Sequence, residues 1–190
     1  MIIAALIMDA VGRGGGWAAT QLGMPRIAVP EGRDPMIYLW SERAPGLAHP
    51  AGAFSGAVYS KSTLPIREFE AARVRTAQIN GCQVCLNFRS ATDVVDRAPE
   101  ADDIDEEFYA HIGDSTWEGF SERERLCADF AEKFALDHRN IDEVFWKRLH
   151  AAFTDDELVE LALCVGSWVA FGRLNVIFDV DGACRVPQYA

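Results

Sequence analysis

The stretch AQINGCQVC, Ala77 to Cys85, sets two cysteines at C-x-x-C spacing directly behind an Asn80-Gly81 pair. Upstream, Ile66, Phe69, Ala72, Arg73 and Ala77 recur at the three- and four-residue spacing of a helix face. Asn80-Gly81 ends that helix, because both residues tolerate the left-handed conformation that closes one. A fresh apolar run opens at Cys82 and continues through Val84, Leu86, Phe88, Ala91, Val94 and Val95, which predicts a second helix to about Asp96. Both thiols then sit on its first turn, where orphan N–H groups and the positive end of the helix dipole favour a thiolate. Two sulfurs three residues apart on such a turn can close a disulfide with little strain, so a reversible redox pair is available.

Around this motif stand Glu70, Arg73, Arg75, Gln78, Asn80, Gly81, Cys82 and Cys85. In residue type and spacing this set resembles the alkylhydroperoxidase D-like family, also called the carboxymuconolactone decarboxylase family. Looser similarity runs from about Met24 to Val180 and takes in His49-Pro50, the SERE opening at Ser121, and the FTDDELVELAL and FGRLNV runs near the end. The resemblance implies an all-α fold with a central antiparallel helix hairpin that carries the C-x-x-C. It also implies Cys85 as the attacking thiol, Cys82 as the resolving thiol, and Glu70 in a proton relay completed by a histidine. That histidine is expected four residues after Cys85, where this chain has Arg89, and the aromatic or histidine often found before the second cysteine is Val84.

Folding the two helices back about Gly81 sets residue 89 opposite residue 73, with Glu70 about one turn away. Residue 89 also shares a helical face with Cys85, four positions earlier. An arginine stays protonated at any working pH and cannot relay a proton. The expectation is a bidentate Arg89–Glu70 ion pair; the alternative is that Arg89 lowers the Cys85 thiol pKa by its charge.

The chain has 190 residues, 49% of them hydrophobic, and a formal net charge of -11. One domain is expected, running over residues 24–190, with residues 1–23 as an N-terminal extension. The negative balance argues against nucleic acid and against an anionic membrane surface. An odd count of five cysteines argues against a disulfide scaffold and for a reducing, cytoplasmic compartment. Cys127 and Cys164 fall within apolar runs and read as core residues, while Cys184 lies in a polar tail. The glycine run Gly12 to Gly16 lacks phosphate-loop spacing and belongs to the extension.

Asp34-Pro35 opens a short helix to Arg43, and Pro45-Gly46 ends it before a helix of small residues from Leu47 to Ser60. His49 reads as structural. The acidic run from Ala98 to Glu107 reads as a solvated loop and Phe108 to Ile112 as a short helix. Ser121 with Glu124 and Thr154 with Glu157 are capping boxes, and Asn140 caps the helix between them. The last helix, about Asp155 to Phe178, is apolar nearly all round. Glu160, Arg173 and Asn175 interrupt it too often for a membrane span, so it is expected at the centre of the domain or in a homo-oligomer interface near Trp168 or Phe171.

The function expected on these grounds is that of a thiol-dependent oxidoreductase, a peroxidase of antioxidant type or a disulfide reductase, using Cys85, Cys82 and Glu70. It would take a hydroperoxide or another small molecule and draw electrons from a thiol donor protein. It would need no cofactor and no metal, since a lone C-x-x-C supplies only two zinc ligands. The alternatives are a redox-inactive oligomeric binding protein and an enzyme like carboxymuconolactone decarboxylase.

Overall fold

Five of the nine α-helices among the described residues begin where a side chain accepts an orphan N–H of the first turn. The computed structural model describes residues 24–181, and every regular element among them is helical. The nine α-helices there are α1 (Pro35–Ser41), α2 (Pro45–Lys61), α3 (Ile66–Asn80), α4 (Gln83–Asn87), α5 (Ser90–Asp93), α6 (Glu106–His111), α7 (Glu122–Asp137), α8 (Glu143–Ala152) and α9 (Asp155–Ile177). The carboxylates of Asp34 and Asp105 accept from Ile37 N and Phe108 N at the starts of α1 and α6. Both capping boxes form, Ser121 with Glu124 on α7 and Thr154 with Glu157 on α9. The cap of α8 is Asp142, not Asn140, whose amide instead donates to Asp137. Pro45 opens α2 rather than ending α1, as its fixed φ allows at a first helical position. The acidic run expected as loop is wound into 3-10 turns over Val95–Asp103.

The helix buried on all sides is α3, not α9. Ten of the fifteen α3 residues are buried, against eight of the twenty-three in α9, so α3 is the axis of the fold. It packs along α7 on one side and α9 on another. Phe69 and Val74 of α3 meet Leu126 and Phe130 of α7, Leu149 of α8, and Leu161, Val165 and Trp168 of α9 in one continuous core. Ala71, Ala72 and Ala77 let neighbouring backbones approach this axis closely. Ion pairs hold its polar side: Arg123 of α7 bridges Glu68 and Glu157, and Arg67 pairs with Glu124.

By length and composition α9 could cross a membrane. Its polar residues are nevertheless engaged within the fold. Glu160 accepts from Ser62, Thr63 and Leu64; Arg173 donates to Asn80 and to the Ala135 carbonyl; Asn175 accepts from the Trp40 indole. Trp168 is 7% exposed and lies edge-on to Phe69, so it belongs to the core of its own chain rather than to an outer face. The large apolar side chains that α9 does leave outside are Val159, Leu163, Val176 and Ile177. The residues expected as an N-terminal extension, and Cys184, lie outside the described part of the chain.

α3 ends as the sequence predicts. Gly81 has φ 68° and its N–H closes onto the Gln78 carbonyl, while Cys82 N reaches back to Ala77 O. Nothing lies within 4 Å of where a Cβ on Gly81 would sit, so only backbone strain opposes a side chain there. Gly81→Ala should lower the unfolding free energy by about 1–2 kcal/mol, with Gly81→Asn costing less, measured by urea denaturation.

Candidate functional site: a C-x-x-C disulfide beside a buried ion pair

Beyond Gly81 the chain turns back on α3, and the two cysteines form a disulfide, with their Cα atoms 5.3 Å apart. Cys82 is the cap residue of α4 and is fully buried, whereas Cys85 is half-buried. The second arm of the hairpin is much shorter than the sequence suggests. α4 stops at Asn87, Phe88 and Arg89 are extended, and α5 is a single turn.

The reason is Arg73. Glu70 and Arg73 lie three residues apart on α3, both almost wholly buried, and form a bidentate pair at 2.6 and 2.7 Å. Two of the three remaining guanidinium hydrogens go to carbonyls of the returning chain, Cys85 O and Phe88 O, each at 2.6 Å. Those carbonyls are thus satisfied without a continuing helix. Ser90, freed from such a helix, turns inward and donates to Glu70 Oε1 at 2.5 Å. Burial alone would make the Arg73 guanidinium easier to deprotonate, but the Glu70 carboxylate outweighs it and holds the arginine above its ordinary range.

The expected Arg89–Glu70 pair does not form. Arg89 turns outward, pairs with Glu106 at 2.9 and 3.0 Å, and stacks 4.0 Å over the Tyr109 ring. Its guanidinium also donates to Leu86 O and Phe88 O. With α4 ended at Asn87, residue 89 no longer follows the helical face of Cys85, and Arg73 already occupies the carboxylate. Glu70 is therefore an anchored carboxylate beside the thiol turn.

A cavity of about 100 Å³ opens next to Cys85, bounded by α1, α2, α3, α4 and α9. Its walls are mostly apolar and aromatic, with Trp40 edge-on to Phe171, and Arg73 is its one charged lining residue. Among the described residues none of its lining side chains is a histidine. Tyr59 also lines it, and burial pushes that hydroxyl up to about 12, helped by Glu70 and opposed by Arg73. One contact had no sequence signal: Asp181 accepts from Gln83 N at 3.0 Å, so a carboxylate occupies an orphan N–H of the thiol turn. No group of three metal-ligating side chains converges among the described residues.

Fold and site together define an all-α protein of the alkylhydroperoxidase D-like architecture with a C-x-x-C disulfide at its central turn. The fold is similar to the crystal structure of a protein of unknown function from Agrobacterium tumefaciens, ATU0492, conjectured to be an antioxidant defence protein AhpD. The TM-score is 0.59 at 20% identity, covering 79% of this chain and 97% of that one. The chain is also 27% identical over 128 residues to the uncharacterized protein YnjA of Escherichia coli. That match covers 65% of each, so the chain spans just under two thirds of this curated relative's length. No family model matches the chain.

Two outcomes follow from the burial of these groups. Glu70→Gln leaves the Arg73 charge uncompensated in the core and should cost about 3–5 kcal/mol of stability, read from chemical denaturation. Tyr59 is held neutral in the fold, so its contribution is present below the ordinary tyrosine value near 10 and is lost as pH rises toward about 12. Tyr59→Phe should then move the alkaline unfolding midpoint upward, followed by circular dichroism.

Proposed function

We propose that the protein is a thiol-dependent oxidoreductase in which Cys85 is the attacking sulfur and Cys82 the resolving one. The observation that carries this reading is the asymmetry of the pair, with Cys82 sealed in the core and Cys85 on the wall of a cavity. A thiolate at Cys85 would attack the terminal oxygen of a hydroperoxide, releasing an alcohol and leaving a sulfenic acid. Attack by the Cys82 thiol then forms the disulfide and releases water. A thiol donor protein reduces the disulfide and returns both thiols. Glu70, held by Arg73 and Ser90, acts as a fixed negative partner beside the turn rather than as a mobile proton carrier. With no imidazole in the cavity lining, turnover is expected to be slow. We place the protein in a reducing cytoplasm, where such a pair is kept cycling, and we expect it to self-associate through the outward apolar face of α9.

A second reading, a binding member of this fold without redox turnover, is favoured by the same engagement of Glu70 and by the outward turn of Arg89. Turnover separates the two readings. Native protein should gain two titratable thiols on mild reduction and should consume hydroperoxide with a dithiol donor. Cys85→Ser should abolish that consumption, and Cys82→Ser should trap a sulfenic acid at Cys85 detectable by a dimedone probe and mass spectrometry. Full turnover in both serine variants would remove the thiol mechanism, and no hydroperoxide consumption by the reduced native protein would leave the binding reading.

A further inference from the structure

When a thiolate attacks a hydroperoxide, the departing oxygen leaves as an alkoxide unless a proton reaches it as the O–O bond breaks. Glu70 is badly placed to deliver that proton. It is fully buried, does not line the cavity beside Cys85, and is held by Arg73 and Ser90. Apart from Cys85, the cavity lining holds two titratable side chains among the described residues, Tyr59 and Arg73. Arg73 is fixed as a cation by Glu70, and four of its five N–H groups go to that carboxylate and to Cys85 O and Phe88 O. Tyr59 is left. It stands on α2, with its ring edge-on to Phe69 and Phe88 at 5.7 and 5.3 Å between ring centres. The Trp168 indole N–H faces the Tyr59 oxygen, and an indole offers no acceptor to the hydroxyl proton. That proton has no acceptor among the described residues, and the oxygen is not sealed in the core as Ser167 Oγ is. The hydroxyl is therefore free to donate into the cavity that Tyr59 and Cys85 share.

We propose that Tyr59 is the acid of the peroxidase step, its hydroxyl protonating the oxygen that leaves when Cys85 attacks a hydroperoxide. The Cys85 thiolate bonds to the terminal oxygen, which stays on sulfur with its hydrogen as a sulfenic acid. The O–O bonding pair goes to the inner oxygen, which takes the Tyr59 proton and leaves as an alcohol. The peroxide gains the two electrons that the sulfur loses, and the phenolate recovers a proton from solvent. Burial keeps the phenol protonated up to about 12, so the proton is present at every working pH. An alkoxide is about as basic as hydroxide, whose conjugate acid has a pKa of about 15.7, so the transfer runs downhill. The Arg73 charge and the Trp168 N–H both favour the phenolate that the transfer leaves behind. The inference rests on the thiol reading and adds the acid that the absent imidazole would otherwise supply.

The test uses the full chain, reduced and freed of reductant. Formation of the Cys82–Cys85 disulfide is followed by acid quenching, alkylation and mass spectrometry near neutral pH. The oxidants are tert-butyl hydroperoxide, whose leaving alkoxide needs a proton, and peracetic acid, whose leaving acetate does not. Tyr59→Phe keeps the ring and removes the O–H. The expected result is a hydroperoxide rate about 100-fold lower in Tyr59→Phe, with the peracid rate unchanged. An equal loss for both oxidants, as a merely structural role or an effect on the Cys85 thiolate would give, overturns the proposal. The wild type in heavy water supplies a check that needs no variant. There the hydroperoxide rate should fall relative to the peracid rate, and a constant ratio would overturn the proposal too. If the wild type forms its disulfide and Tyr59→Phe matches it with both oxidants, the thiol reading stands and the role of Tyr59 alone is lost. If the wild type forms no disulfide with either oxidant, the thiol reading is lost and the role of Tyr59 with it.

Discussion

The buried pair of Glu70 and Arg73 is the constraint on which the rest of the site depends. Neither charge is tolerable alone in a core, and together they are neutral. A carboxylate can satisfy only part of a guanidinium, which has five N–H donors. The remainder must find acceptors, and two of its three hydrogens find them on the chain returning past Gly81, at the carbonyls of Cys85 and Phe88. One side chain of the central helix therefore decides where the thiol turn sits, where α4 ends and which way Ser90 faces. Buried ion pairs are weak evidence for stability; here the pair specifies a local geometry.

That geometry makes the two sulfurs unequal. Cys82 caps α4 against the core, and Cys85 meets the cavity that α1 and α9 complete. Electrostatics at the turn are more balanced than a helix N-terminus alone would give. The dipole favours a thiolate, while the Asp181 carboxylate occupies the Gln83 N–H and adds a negative charge nearby. The apolar length of α9 belongs to the same economy of space. Its outliers Glu160, Arg173 and Asn175 each reach a partner on another element, so the helix reads as a core element with one face left to solvent.

Residues adjacent in the chain were enough to read the helical class, the capping boxes, the stop at Gly81 and the pairing of Cys82 with Cys85. Each of these rests on hydrogen bonds or torsions within about one turn, so the residues that carry the signal are also the residues that make the contact. Tertiary packing decided what lay between distant residues. Arg73 and Arg89 are chemically identical claimants to Glu70; Arg73 holds the carboxylate from one turn away on α3, and the early end of α4 that it brings about sends Arg89 to Glu106. Asp142 displaces Asn140 as a cap because the 3-10 turn at His138–Asn140 shifts where α8 begins. The contacts of Asp181, and the unpaired hydroxyl of Ser167, have no local sequence signature. They arise where segments far apart in the chain are forced together by the burial of apolar surface, and a polar group there is satisfied or left wanting by neighbours that no local window contains.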